Sequence, residues 1–430
     1  MNYQDRLALF RDGDWTAGVV GLGYVGLPLC ITAWKAGLKV IGFDISEDRV
    51  NQIAAGRSHI VDVTDEDLRD ALSQGFTVTS DPSQLSGADA VFLCVPSPLG
   101  RSREPDMSFI EAATAIFVEN ARPGQLVSLE STTYPGTLED VIVPALNRRG
   151  FEVDEDVFVA FSPERVDPGN ELKTDAIPKV VGGLTPASTE IAGAVYGRLV
   201  AQTHIVSSSR VAEMTKLLEN TYRAVNIGLV NEMAMLANEL DIDIWEVIDA
   251  AKTKPFGFQA FYPGPGVGGH CIPLDPQYLA WRARQLRFPT RFIDVAEQTN
   301  AAMPVYVVDR IAELLNLDSK AVRGSRILAV GIAYKPDVRD NRESAAIDVI
   351  KELVERGADV EIHDPVVGVD GIAGAGYKPS QSLEGYDLAV ILTDHHDLDY
   401  PAIATGSDLI FDTRNAFRRR GMEPVNLHVL

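Results

Sequence analysis

Cysteine is scarce in this 430-residue chain: only Cys30, Cys94 and Cys271. Three scattered thiols build neither a disulfide framework nor a zinc cage, so no metal is expected, and they point to a reducing compartment. Positive charge is in deficit too. Against 61 Asp and Glu stand 39 Lys and Arg, a formal net charge of −22. That balance argues against nucleic acid or an anionic membrane as partner. It is compatible with an anionic small ligand, because a site makes its own local field. No apolar run reaches the roughly 18–20 residues of a membrane span. The opening, Met1–Trp15, is polar and acidic, unlike a basic-then-apolar leader. A cytoplasmic protein is the simplest expectation. Hydrophobic content of 46% and charged content of 23% fit a globular chain whose length calls for two or three domains.

What is present is an alternation of short apolar strands, polar turns and helices. Thr16–Val20 leads into Gly21-Leu-Gly23-Tyr24-Val25-Gly26 and then an apolar helical run, Leu27–Ala36. A second strand, Leu38–Phe43, ends at Asp44. A G-x-G-x-x-G between strand and helix, with an acid about 20 residues on, reads as a dinucleotide fingerprint. The glycines admit a pyrophosphate to the helix N-terminus, where free N–H groups and the helix dipole favour anions. Asp44 suits the ribose hydroxyls and repels a 2′-phosphate, so NAD is expected rather than NADP. Arg49 belongs on the adenosine side.

Further strands are expected at Ala88–Val95, Gln125–Leu129 and Asp156–Phe161. Each ends in a polar turn: Pro96-Ser97-Pro98, then Glu130-Ser-Thr132-Thr133-Tyr-Pro-Gly136, then Ser162-Pro-Glu164-Arg165. In an open parallel sheet ligands bind outside the carboxyl ends of the strands, so the three turns line one rim. Lys179–Gly183 and Thr203–Val206 close a first domain near residue 205. Val211–Leu240 then reads as one long helix with Val211, Met214, Leu217, Leu218, Tyr222, Val225, Leu229 and Met233 on an apolar stripe. Lys216 and Asn220, one turn apart, share a face.

After Ile244–Lys252 comes the stretch FYPGPGVGGHCIPLDP, Phe261–Pro276. Gly264, Gly266, Gly268 and Gly269 allow conformations and close approaches denied to other residues. Cys271 lies on this stiff, cleared loop and suits a nucleophile; the competing reading is a buried thiol beside a turn. Helices at Leu279–Leu286 and Ile293–Ala302 follow. A break at Met303-Pro304 opens a second α/β half. It has a helix at Tyr306–Leu315, strands at Arg326–Val330, Asp359–His363, Leu388–Leu392 and Leu409–Phe411, and a helix Ala345–Arg356 capped by Asp340–Ser344. His395-His396 reads as a surface loop pair. The expected fold class is α/β, two Rossmann-like doubly wound domains joined by a long central helix. The expected domains are 1–205, 206–303 and 304–430.

These motifs in this order resemble the UDP-glucose/GDP-mannose dehydrogenase family of nucleotide-sugar 6-dehydrogenases. They are GLGYVG, FDIS, CVPSP, ESTTYPG, SPERVDPG, EMTKLLEN, GVGGHCIPLD, GIAYKPDVRDNRES and FDTR. SPERVDPG and FYPGPGVGGHCIPLDP are most similar to the branch acting on UDP-N-acetylhexosamines; UDP-glucose is the alternative. The resemblance implies NAD as cofactor, a UDP-sugar as substrate and oxidation of its C6 alcohol to a carboxylate in two steps. Cys271 would capture the intermediate aldehyde as a thiohemiacetal and then a thioester.

By the same resemblance Lys216, Asn220 and Asp275 form a polar set for the oxyanion and the alcohol proton. Glu164 activates the hydrolytic water and Thr133 helps position it. Pro96, Ser97, Thr132 and, from the second half, Arg342 join the glycine turn around NAD. Glu164, Arg165, Val166, Lys216, Asn220, Tyr262, Gly264, Gly266, Gly268, Lys335 and Arg414 surround the UDP-sugar. Where the UDP-glucose branch carries an arginine that reaches a neighbouring subunit, this chain has Lys254. A homodimer or higher homo-oligomer is implied.

Overall fold

A computed structural model describes residues 3–60, 62–100, 103–165, 176–269 and 271–430. The chain divides into two compact units, Met1–Glu219 with Gln277–Phe288, and Asn220–Pro276 with Pro289–Leu430. The stretch expected as a separate middle domain is shared between them.

In the first unit the strands are β1 (Thr16–Val20), β2 (Lys39–Phe43), β3 (Phe76–Thr79), β4 (Ala90–Leu93), β5 (Gln125–Leu129), β6 (Val157–Phe161), β7 (Lys179–Gly183) and β8 (Thr203–Ile205). Their order is β3-β2-β1-β4-β5-β6-β7-β8. Strands β1 to β6 are parallel, whereas β7 runs antiparallel to β6. The order reverses between β1 and β4, the switch point at which such sheets bind ligands. Successive side chains serve two cores. Ala17, Val19, Ala90 and Phe92 enter one; Val20, Val91 and Leu93 enter the other. A sheet buried on both faces reads as the near-continuous apolar runs seen in the sequence.

The second unit carries β9 (Arg326–Val330), β10 (Asp359–His363), β11 (Tyr386–Ile391), β12 (Ser407–Asp412) and β13 (Leu427–Val429), all parallel in the order β10-β9-β11-β12-β13. A single helix, Ser209–Glu239, contributes its first residues to one unit and the rest to the other. Both parallel-sheet units and the long helix accord with the expected fold class.

Three local expectations are corrected. Polar Met1–Trp15 contains a helix, Tyr3–Asp12, whose Leu7 and Phe10 are buried and whose Phe10 ring packs edge-on to Trp15. The break at Pro304 is absent: one helix spans Arg291–Leu317. A proline there forfeits one hydrogen bond and crowds the carbonyl four residues back. Burial of Met303, Pro304, Val307, Val308 and Ile311 overrides that penalty. The short strands β3 and β13 were not foreseen, being four and three residues long with mostly half-buried side chains.

Candidate functional site

The first unit builds a cradle from its glycine turn. Gly21 has φ +91°, and a side chain there would sit 2.6 Å from the Cys94 carbonyl. Gly23 faces open space, which leaves room for a bound group. The Leu22 N–H donates to Asp44 Oδ2 at 2.9 Å, and Ser46 N–H donates to Oδ1 at 2.9 Å. Arg49 pairs with Asp44 at 3.0 Å, its side chain 42% exposed. His59, which sequence reasoning missed, lies beside Leu22, Asp44 and Arg49. Both its ring nitrogens are buried without a hydrogen-bond partner, and burial lowers its pKa. An orphaned polar ring, an acid at a strand end and an open glycine fit a dinucleotide; Asp44 would meet the ribose and Gly23 the pyrophosphate. Tyr24 is exposed, Val25 half-buried, and of the next turn Pro96 is exposed and Ser97 half-buried.

Along the same rim the turns are tied together. Ser131 Oγ donates to the Val95 carbonyl at 2.7 Å. Lys179 is buried between two carboxylates, ion-paired with Glu130 and 3.0 Å from Glu164. Burial opposes its charge, but the two carboxylates more than offset that and raise the ammonium's pKa. Tyr196 donates to the other Glu130 oxygen. Lys216 donates to the Glu164 main-chain carbonyl at 2.6 Å, so the structure joins two of the expected residues. Glu213, one turn earlier on that helix, accepts from Gly136 N–H at 2.6 Å, while its other oxygen is buried without a partner. Burial pushes its carboxyl up to about 7.

Two expected side chains on this rim are already engaged. The Thr133 hydroxyl is buried and bonded to Thr137. Thr132 is the solvent-accessible member of the pair. Arg165 forks onto Glu219 and donates to the Pro178 carbonyl at 2.8 Å. Val166 lies outside the described residues.

The second unit holds the glycine loop. Its glycines accommodate other parts of the chain. A side chain on Gly264 would sit 2.5 Å from the Arg414 guanidinium; one on Gly268 would sit 2.8 Å from the Glu343 carbonyl. Gly266 has φ +135°, and Gly269 has φ +92° and donates to the Glu343 carbonyl at 3.0 Å. Buried Asn231, also missed in the sequence, accepts from Gly264 N–H at 3.1 Å and donates to Asn300 at 2.9 Å. Tyr262 stacks on Trp245 under Arg419, and its hydroxyl donates to Asp249 at 3.0 Å, an anchoring role for the loop. Lys254 is exposed over the Phe256 ring.

Cys271 is exposed, while Cys30 and Cys94 are buried and burial raises their thiol pKa values. The Cys271 carbonyl accepts from Asp275 N–H at 2.8 Å. Asn220 donates to Asp275 Oδ2, and both are buried. Lys335 is half-buried after β9, and Arg414, after β12, donates to the Leu392 carbonyl at 2.8 Å. Exposed Arg342 is clamped two-pronged on Asp340. The reading of His395-His396 as a surface pair is half corrected: His396 is 81% exposed but His395 is fully buried, 3.0 Å from Asp364. Among the described residues no group of three or more His, Cys, Asp or Glu could hold a metal, and no helix is long and apolar enough to cross a membrane.

The chain matches the UDP-glucose/GDP-mannose dehydrogenase family in three segments: the NAD binding domain over residues 16–200, the central domain over 210–302 and the UDP binding domain over 328–419. It is 35% identical over 386 residues to the UDP-N-acetyl-D-glucosamine 6-dehydrogenase of Pseudomonas aeruginosa, covering 88% of this chain and 90% of that one. To the UDP-N-acetyl-D-mannosamine dehydrogenase of Methanocaldococcus jannaschii it is 32% identical, covering 93% and 92%. The solved UDP-D-ManNAc dehydrogenase from Pyrococcus horikoshii superposes with a TM-score of 0.86 at 30% identity, covering 96% and 98%. With the glycine cradle, the strand-end acid and a solvent-accessible loop cysteine, these likenesses converge: the chain belongs to the UDP-glucose/GDP-mannose dehydrogenase family and is an NAD-dependent nucleotide-sugar 6-dehydrogenase.

Proposed function

We propose that the enzyme oxidises the C6 hydroxyl of a UDP-N-acetylhexosamine, UDP-GlcNAc or UDP-ManNAc, to the uronate, with Cys271 as nucleophile. The observation that carries the covalent step is that Cys271 alone of the three thiols is exposed. Bound NAD supplies the hydride acceptor for both oxidations. An aldehyde has no hydroxyl-bearing tetrahedral carbon from which a second hydride can leave. Addition of the Cys271 thiolate restores one, as a thiohemiacetal. Loss of the second hydride leaves a thioester. Water attacks its carbonyl, the C–S bond breaks, and Cys271 departs as thiolate.

In this reading Glu164 takes a proton from the attacking water, and Lys216 and Asn220 donate to the developing oxyanion. Asp275, held by Asn220, acts with Lys216 to hold the water that accepts the alcohol proton. Thr132 replaces Thr133 as the hydroxyl facing solvent. Lys335 and Arg414, on the turns after β9 and β12, are the cations for the diphosphate. The N-acetylhexosamine preference rests on the named relatives. The three matched segments support the division into NAD-binding, central and UDP-binding parts.

On the helix Ser209–Glu239 and just beyond it, Val211, Met214, Leu218, Tyr222, Leu229, Leu236 and Leu240 are 38–59% exposed at three- and four-residue spacing or multiples of it. Such a stripe supports a homodimer through this helix. The deciding measurement is NADH yield and rate across UDP-GlcNAc, UDP-ManNAc and UDP-glucose. Two NADH per N-acetylhexosamine are expected. Faster turnover of UDP-glucose overturns the substrate, and one NADH per sugar overturns the mechanism. Cys271→Ser is expected to make no carboxylate while still binding NAD.

A further inference from the structure

We infer that Lys179 is the positioning residue for acyl-enzyme hydrolysis, acting through Glu164; the inference rests on the thioester reading above. In a parallel sheet the residue that starts a strand lies at the edge away from the carboxyl ends. Strand β7 is reversed, so its first residue, Lys179, arrives at the rim where β5 and β6 end. The register agrees. Phe161 lies opposite Gly182, and three residues further in opposite senses set Glu164 opposite Lys179.

The contacts there fix Glu164 at three atoms. Lys179 Nζ meets Oε2 at 3.0 Å, Arg165 N–H donates to Oε1 at 2.7 Å, and Lys216 donates to the main-chain carbonyl at 2.6 Å. Lys179 is itself held from behind by Glu130, whose second oxygen accepts from Tyr196; the Tyr196 hydroxyl lies 2.8 Å from Ser128. The Lys179 side chain is 3% exposed and that of Glu130 not at all, whereas Glu164 keeps 16%. One buried ammonium therefore serves a hidden carboxylate and a partly open one. A carboxylate fixed in this way needs no reorganisation when it accepts a proton from water.

An ammonium 3.0 Å away favours the ionised carboxylate over the neutral acid. Around it stand Glu130 behind Lys179, the buried Cys94 thiol, Lys216 at its carbonyl, and Arg165, whose guanidinium is turned to Glu219. Lys179 meets the carboxylate itself, at Oε2.

The test compares the double variant Glu130→Gln/Lys179→Met, which removes the ammonium together with one buried carboxylate, with Glu130→Gln alone. Single-turnover quench experiments follow the first NADH, the second NADH and the Cys271 adduct by intact mass. In the double variant the first NADH is expected at an unchanged rate. Thioester hydrolysis is expected to fall about 10- to 100-fold with visible adduct. The base works only when deprotonated, and losing the cation raises its pKa. The acidic limb of hydrolysis therefore moves to higher pH, by about one unit or more. Lys179→Arg keeps the charge and misplaces it, so hydrolysis slows while the limb stays; this variant also serves if the double variant does not fold. Hydrolysis at the parent rate in either variant, or an unmoved limb in the folded double variant, overturns the inference. Glu164→Gln separates the two layers. If it accumulates no adduct, the role of Glu164 is wrong; if it does and the Lys179 variants do not, Lys179 alone is excluded.

Discussion

The two units repeat one plan, a strand, a glycine turn and an acid at the end of the next strand, yet they treat the acid differently. In the first, Gly21 N–H donates to the Phe43 carbonyl at 2.8 Å; in the second, Gly331 N–H donates to the His363 carbonyl at 2.9 Å. Asp44 takes Leu22 N–H as Asp364 takes those of Ile332 and Ala333. Beyond that they part. The group over Asp44 is a surface arginine. Over Asp364 it is the buried imidazole of His395, whose Nδ1 accepts from Asp337 N–H at 2.9 Å, leaving Nε2–H for the carboxylate. Val366 and Val367 N–H groups engage the remaining Asp364 oxygen. An acid that we propose receives a ribose in one unit is, in the other, a fastener closed by the protein's own ring. Repeating the fold has not repeated the ligand.

That contrast is broken most severely at Asp364. Asp364→Ala is expected to destabilise the second unit by about 4 kcal/mol, because several buried donors lose their acceptor together. The KM for NAD should stay as it was; a raised KM would mean that this acid also meets the cofactor. Burial alone would raise the Asp364 pKa, but His395 and the Val367 and Ile332 N–H groups hold it down to about 2. The stability it contributes is thus fully present above pH ~4 and lost as pH falls toward 2, a transition that urea titrations should find missing in the variant.

Glu213 is the opposite case, a buried carboxylate only half satisfied. With its pKa raised to about 7, the folded state binds the proton more tightly than the unfolded one. Stability should therefore fall by about 3 kcal/mol between pH ~4.5 and ~7. Glu213→Gln should flatten that slope in paired denaturation curves at pH 5 and 8; an unchanged slope removes Glu213 as its source.

The glycine turns offer a matched pair. Gly331 has φ +83°, and a side chain there would lie 2.5 Å from the Thr393 carbonyl, much as one at Gly21 would meet that of Cys94. Alanine should destabilise by about 2 kcal/mol at either position, but only Gly21→Ala should weaken NAD binding by calorimetry. The smallest change expected is Asp44→Asn, with NAD affinity down about tenfold as a charge-assisted bond to ribose becomes a neutral one. Equal affinity for the two proteins would place the ribose elsewhere.

What could be read in advance was what is local in sequence. The fingerprint Gly21–Gly26 with Asp44, the apolar stripe of the long helix and the lone cysteine of the glycine loop each sit within one stretch or one period, although Leu217 of that stripe is buried and only part of it is exposed. The missed features depend on partners brought together by folding. KVVGG announces a strand but not its direction, so Lys179 could not be placed on the rim. His395 reads as a solvent-facing loop residue until Asp364, 31 residues away, is laid beside it. Asn231 gives no sign that it will hold Gly264, and the adjacent Thr132 and Thr133 cannot be told apart until one is folded inward. Pro304 misled because burial outweighed a local preference.

Gly264 shows where such partnerships lead. Its missing side chain is the room that the Arg414 guanidinium occupies, 150 positions further along the chain. A methyl group at 264 would meet that guanidinium head-on, so Gly264→Ala has to push the Arg414 side chain aside, and the placement of this cation is written at position 264 as much as at 414.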